Sequence, residues 1–144
     1  MFRNITPVVK NILIITVAVY AVTAFLMPQL NGLLALYYVN SNRFIPTQFL
    51  TYMFMHADGW HLFSNMFGLF IFGSALETFM GSKKFLIYYL VCGVGAALMN
   101  SALDFYEMSN MSVDSIEYLR QAQIPMVGAS GAIFGILMAF GFLF

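Results

Sequence analysis

Charge is what this chain most lacks. Its six acidic and six basic side chains make up 8% of 144 residues, against 61% hydrophobic ones, where a soluble domain carries roughly 25% charged residues. That balance excludes a water-soluble globule and points to a membrane protein. A formal net charge of zero leaves no basic face for a nucleic acid. The single cysteine, Cys92, excludes an intrachain disulfide and a cysteine-based zinc site, and its apolar neighbours read it as a small buried residue. The two histidines, His56 and His61, are five residues apart, which is poor spacing for one helix face. No third ligand accompanies them, so no metal site is expected. No repeat, charge block or low-complexity tract marks a second domain, and residues 1–144 are read as one.

Long apolar runs are abundant. Four of them predict transmembrane helices over about 12–27, 61–79, 85–103 and 127–144, each near the roughly 20 residues that cross a bilayer. Helices are expected because an unpaired backbone is not tolerated in lipid. The fold class is therefore all-α, a polytopic bundle. The first run follows Arg3 and Lys10 and resembles a signal peptide, but its core is long and its cleavage signal weak, so it is read as a retained span. Arg3, Lys10, Lys83 and Lys84, four of the six cations, fall on one side, which should be cytoplasmic. The connection 28–60 is too apolar for an ordinary loop and is expected to form short helices at the membrane interface, with turns at Asn31-Gly32, Asn40-Ser41-Asn42 and Ala57-Asp58-Gly59. Asp58 is the expected cap of the second span.

Gly128-Ala129-Ser130-Gly131 opens the fourth run. Spans two and four run in the same direction, so their first residues share one face and depth. His61 and Asn65, at i and i+4, stack on one side of span two and can meet Ser130. Serine attack on an amide creates an oxyanion that needs preorganised donors, and imidazole, carboxamide and free N–H groups at a helix start all donate. Gly128 and Gly131 permit close backbone approach. The same residues also suit plain packing: small residues with serine, and glycines four apart at Gly131 and Gly135, are common contacts between membrane helices. His61 and Asn65 also serve equally as polar residues at a helix end.

The segment from Phe54 through His56, Asp58, His61 and Asn65 to Phe67, then Leu76-Glu77 with Gly81-Ser82-Lys83-Lys84-Phe85, then Gly128-Ala129-Ser130-Gly131-Ala132-Ile133-Phe134-Gly135 resembles the rhomboid intramembrane serine proteases. The resemblance implies a six-helix core, Ser130 as nucleophile in a motif with Gly128 and Gly131, and His61 and Asn65 at the oxyanion hole. It implies a supporting role for His56 and a structural, hydrogen-bonding role for Glu77. It also implies single-pass transmembrane protein substrates cut at or near the membrane, a lipid environment, and no metal or organic cofactor. Thr47-Gln48 departs from the tryptophan or Trp-Arg pair of many members. In the family the base is a histidine from the sixth core helix, whereas this chain stops in the fourth, so it is expected to be an N-terminal fragment that is inactive alone. The expected location is a bacterial inner membrane, N-terminus cytoplasmic and site outward. The rival reading is an inactive rhomboid-like scaffold that grips transmembrane segments. A transporter fragment fits poorly, because the polar residues gather at one face without an intramembrane charge pair.

Overall fold

A computed structural model describes residues 5–144; Arg3, used above to orient the chain, lies outside them. All regular elements among the described residues are helical. Helix α1 (Pro7–Ala21) runs on through a π turn at Val22–Leu26. The connection that follows contains α2 (Asn31–Leu34) and α3 (Gln48–Thr51). Helices α4 (Gly59–Gly68) and α5 (Ser74–Met80) are one rod joined by a π turn at Leu69–Gly73. Next come α6 (Ser82–Ser109), the short α7 (Ile116–Gln121) and α8 (Ser130–Leu143).

Three helical runs are long and apolar enough to cross a membrane: Pro7–Leu26, Gly59–Met80 and Ser82–Ser109. The fourth differs from expectation. It starts at Ser130 rather than Val127. The late start has a physical cause. Met126 exchanges both backbone hydrogen bonds with Leu36, at 3.0 and 2.8 Å, and the Gly128 N–H donates to the Tyr52 carbonyl at 3.0 Å. Gly128 also holds φ +117°, outside helical geometry.

The first connection also departs from expectation. Asn31-Gly32 begins a helix instead of a turn, whereas Asn40-Ser41-Asn42 turns as its composition implies. Ala35, Leu36, Tyr37 and Tyr38 are not helical and are at most 6% exposed, so this apolar run packs inward rather than lying along the interface. Fully buried Gln48 holds it there. Its amide accepts from the Tyr37 N–H and donates to the carbonyls of Leu33 and Arg43.

The three core helices pack at close range. Facing α8, the rod α4–α5 runs parallel: Gly68 lies against Ile133, Phe72 edge-on to Phe140 and Phe79 edge-on to Phe144. Helix α6 runs antiparallel to α8, with Gly131 against Ala96 and Gly135 against Cys92. The small residues bring the backbones together, as membrane helix packing requires, and the Tyr88 hydroxyl donates to the Gly135 carbonyl at 2.7 Å. At the opposite end from His61, buried Glu77 gathers three helices. Its carboxylate accepts from the N–H groups of Val8 and Val9 at the start of α1 and from the Ser82 hydroxyl at the start of α6.

Candidate active site

Helix α4 begins where Asp58, in extended conformation, accepts a hydrogen bond from the His61 N–H at 2.8 Å. This satisfies one of the free N–H groups of the first turn and sets the phase of the helix. From that phase His61 and Asn65 face α8 across a cleft of about 250 Å³, which they line with Ser64, Ser130, Ile133, Phe134 and Leu137.

Gly128 lies against both side chains. A methyl group placed on its Cα would lie 2.8 Å from His61 Nε2 and 3.7 Å from Asn65 Nδ2. His61 can approach this closely only because the residue is glycine, and the left-handed φ requires glycine independently. The Ala57 N–H donates to His61 Nδ1 over a long 3.5 Å, which places the proton of a neutral imidazole on Nε2, on the side of Gly128. Asn65 Nδ2 is buried with no hydrogen-bond acceptor. Neither donor is spent on a hydrogen bond, and both side chains line the cleft beside Ser130. Ser130 is the first residue of α8, so its own N–H and those next to it have no acceptor within the helix.

Of the residues singled out from sequence, Ser130, His61 and Asn65 line one cleft, and Gly128 packs against His61 and Asn65. Gly131 does not; it faces Ala96 on α6 and serves helix packing. His56 sits behind the site, its ring edge-on to His61 with centroids 4.9 Å apart. It is 7% exposed, and neither ring nitrogen has a partner. Burial, assisted by the neighbouring His61, lowers its pKa from 6.5 to about 4, so it is neutral at pH 7 and a weak base.

Sequence reasoning missed Tyr52. Its carbonyl holds Gly128, and its hydroxyl donates to the Gly93 carbonyl at 2.5 Å, tying the segment before Ser130 to α6. No local pattern signals a contact 76 residues away. Ile133, Phe134 and Leu137, by contrast, follow Ser130 at helical spacing and were available from periodicity.

Comparison with known proteins gives a consistent set of relatives. The family model of the Rhomboid domain matches residues 44–144. The chain is 40% identical over 89 residues to Rhomboid protease AarA of Providencia stuartii, 32% over 91 residues to the mitochondrial Rhomboid protein 1 of Saccharomyces cerevisiae, and 34% over 127 residues to the chloroplastic Rhomboid-like protein 11 of Arabidopsis thaliana. These alignments cover 60%, 63% and 87% of the chain but only 30%, 23% and 38% of the relatives, so the chain spans well under half the length of the proteins it matches.

Proposed function

Since the chain belongs to the rhomboid family, an integral membrane family in which relatives such as AarA are named proteases, we propose that it forms the nucleophile and oxyanion half of an intramembrane serine protease. Its substrates are single-pass membrane proteins, cut within or beside their transmembrane segments. The observation that carries this reading is that His61 and Asn65, whose Nε2 and Nδ2 donate no hydrogen bond, line one cleft with Ser130.

In the proposed reaction Ser130 Oγ adds to the carbonyl carbon of the scissile amide while its proton passes to a base. The carbonyl oxygen, now negative, moves into the cleft and accepts from His61, Asn65 and the first N–H groups of α8. Collapse of this intermediate breaks the C–N bond, the departing nitrogen takes the proton, and water releases the acyl group from Ser130 by the same steps. Serine needs a base to act near neutral pH. His61 is committed as a donor and His56 is a weak base behind it, so the proton acceptor is assigned, following the family resemblance, to a histidine of a further core helix. Residues 1–144 alone are expected to turn over very slowly, sustained only by the oxyanion donors. Lys10, Lys83 and Lys84 support a cytoplasmic N-terminus and a cleft opening toward the outer face of a bacterial inner membrane.

The test is covalent labelling of the full-length protein in detergent with a fluorophosphonate. Label should appear on the wild type and vanish in Ser130→Ala. Equal labelling of both proteins would overturn the assignment, and a folded, unlabelled wild type that still binds transmembrane peptides would establish the scaffold reading instead.

A further inference from the structure

A second cavity, of about 170 Å³, shares no lining residue with the cleft at Ser130. Its polar wall is made by Asn100 and Asp104 on α6, Gln121 at the end of α7, and Tyr38 from the first connection; Met126 forms part of its apolar wall. Asn100 Nδ2 donates to Asp104 Oδ2 at 2.8 Å, fixing the carboxylate while leaving its other oxygen free for a ligand. The Tyr38 hydroxyl accepts from Asn40 Nδ2 at 3.2 Å, which steadies the phenol at the rim. No lysine, arginine or histidine lines the space. A carboxylate, two carboxamides and a phenol thus surround a cavity with negative charge and no cation of its own.

Its size and donor set narrow the ligand. Sites for whole small molecules occupy roughly 300–1,000 Å³, so this one fits the end of a single side chain. Among the described residues no three His, Cys, Asp or Glu side chains gather to hold a metal ion, and one carboxylate is a poor cage for a divalent cation. An ammonium, with three N–H donors, or a guanidinium fork matches several oxygen acceptors around one charge.

Position supplies the rest. Met126 belongs to the wall of this cavity and Ser130 to the cleft, and four residues of chain reach at most about 14 Å. An extended substrate rises about 3.3 Å per residue, so a side chain within about four residues of the attacked bond can reach the cavity. We infer that the cavity is a specificity subsite for a lysine or arginine of the substrate, at one position within about four residues of the scissile bond. This assignment rests on reading the Ser130 cleft as a protease site.

Binding tests it without requiring turnover. Full-length protein carrying Ser130→Ala is titrated in micelles with matched fluorescent transmembrane peptides that hold lysine or norleucine at each of the four positions on either side of the central bond. At one position lysine should bind about tenfold more tightly, as a charge-assisted hydrogen bond allows. Asp104→Asn, which keeps the shape beside Asn100, should remove that preference, and Asp104→Glu should retain part of it. Gln121→Lys, which supplies an ammonium from a half-exposed position, should remove it without altering α6. A preference that survives Asp104→Asn or Gln121→Lys, or one absent at every position, would overturn the inference. So would butylammonium that binds without displacing the lysine peptide. Fluorophosphonate labelling of the Ser130 protein judges the protease reading separately: absence of label refutes that reading, while the peptide comparison still decides the subsite.

Discussion

The two ends of the α4–α5 rod treat their polar groups in opposite ways. At Glu77 the carboxylate accepts three hydrogen bonds, from Val8, Val9 and Ser82, at 2.6 to 3.0 Å. At His61 and Asn65 the side chains are buried or half-buried at the wall of the Ser130 cleft, and the Asn65 amide N–H groups have no acceptor. Leaving a buried polar group unpaired costs about 1–3 kcal/mol. The first end therefore contributes stability, while the second holds interactions in reserve for a group that arrives later. Such a division is expected of an oxyanion hole, whose donors act only if nothing in the resting protein has already satisfied them.

Gly128→Ala should produce the largest separation between the two ends. The added methyl lies 2.8 Å from the His61 ring and must also adopt φ +117°. Fluorophosphonate labelling should fall by about a thousandfold, the scale of losing an oxyanion donor together with its space. Thermal stability should drop by only about 1–3 kcal/mol, for the strained φ. Labelling within tenfold of wild type would show that the position of the His61 ring against Gly128 does not matter to the charge that develops.

Glu77→Ala should give the converse result. It strips acceptors from two helix N–H groups and a hydroxyl, and should cost about 3–4 kcal/mol in denaturation experiments, while the labelling rate per folded molecule stays near wild type. Asn65→Ala follows with a smaller and opposite signature: about a hundredfold slower labelling and almost no loss of stability, because its amide N–H groups make no bond in the resting structure. A large loss of stability in Asn65→Ala would mean that the amide is structural and that the two ends do not differ as described.

The residues legible in sequence are those whose relations are local. Asp58 caps α4, and His61 and Asn65 share a face, because spacing of three and four residues is enough to say so. Parallel α4 and α8 followed from counting spans. The start of α8 lies three residues later than hydropathy indicates, because hydropathy responds to side chains, whereas residues 126–129 are kept from helix by backbone partners at Leu36 and Tyr52. The same blindness turned 35–38 into an expected helix. Its buried, non-helical form depends on Gln48 and Met126, residues 10 to 91 positions away, and no periodicity encodes contacts at such separations.

His56 offers the mildest way to probe the reserved end, through pH instead of truncation. Burial first, and the adjacent His61 second, depress its pKa from 6.5 to about 4. Above pH 6.5 the ring is neutral in both folded and unfolded states, so its contribution to stability is fully present. As pH falls below 6.5 the unfolded chain binds a proton that the folded protein refuses, and stability declines by about 1.4 kcal/mol per unit until pH approaches 4. Between pH 6.5 and 5 the loss should be about 1 kcal/mol once partial solvent screening is allowed for, read as a falling unfolding midpoint in micelles. His56→Gln should flatten the wild-type curve over that window. Because the His56 ring stands edge-on to His61, the wild type should also lose fluorophosphonate labelling as it approaches pH 4, more steeply than His56→Gln. Parallel stability curves for the two proteins would mean that His56 is hydrated in the folded state, and the contrast between a spent end and a reserved one would then rest on Asn65 and His61 alone.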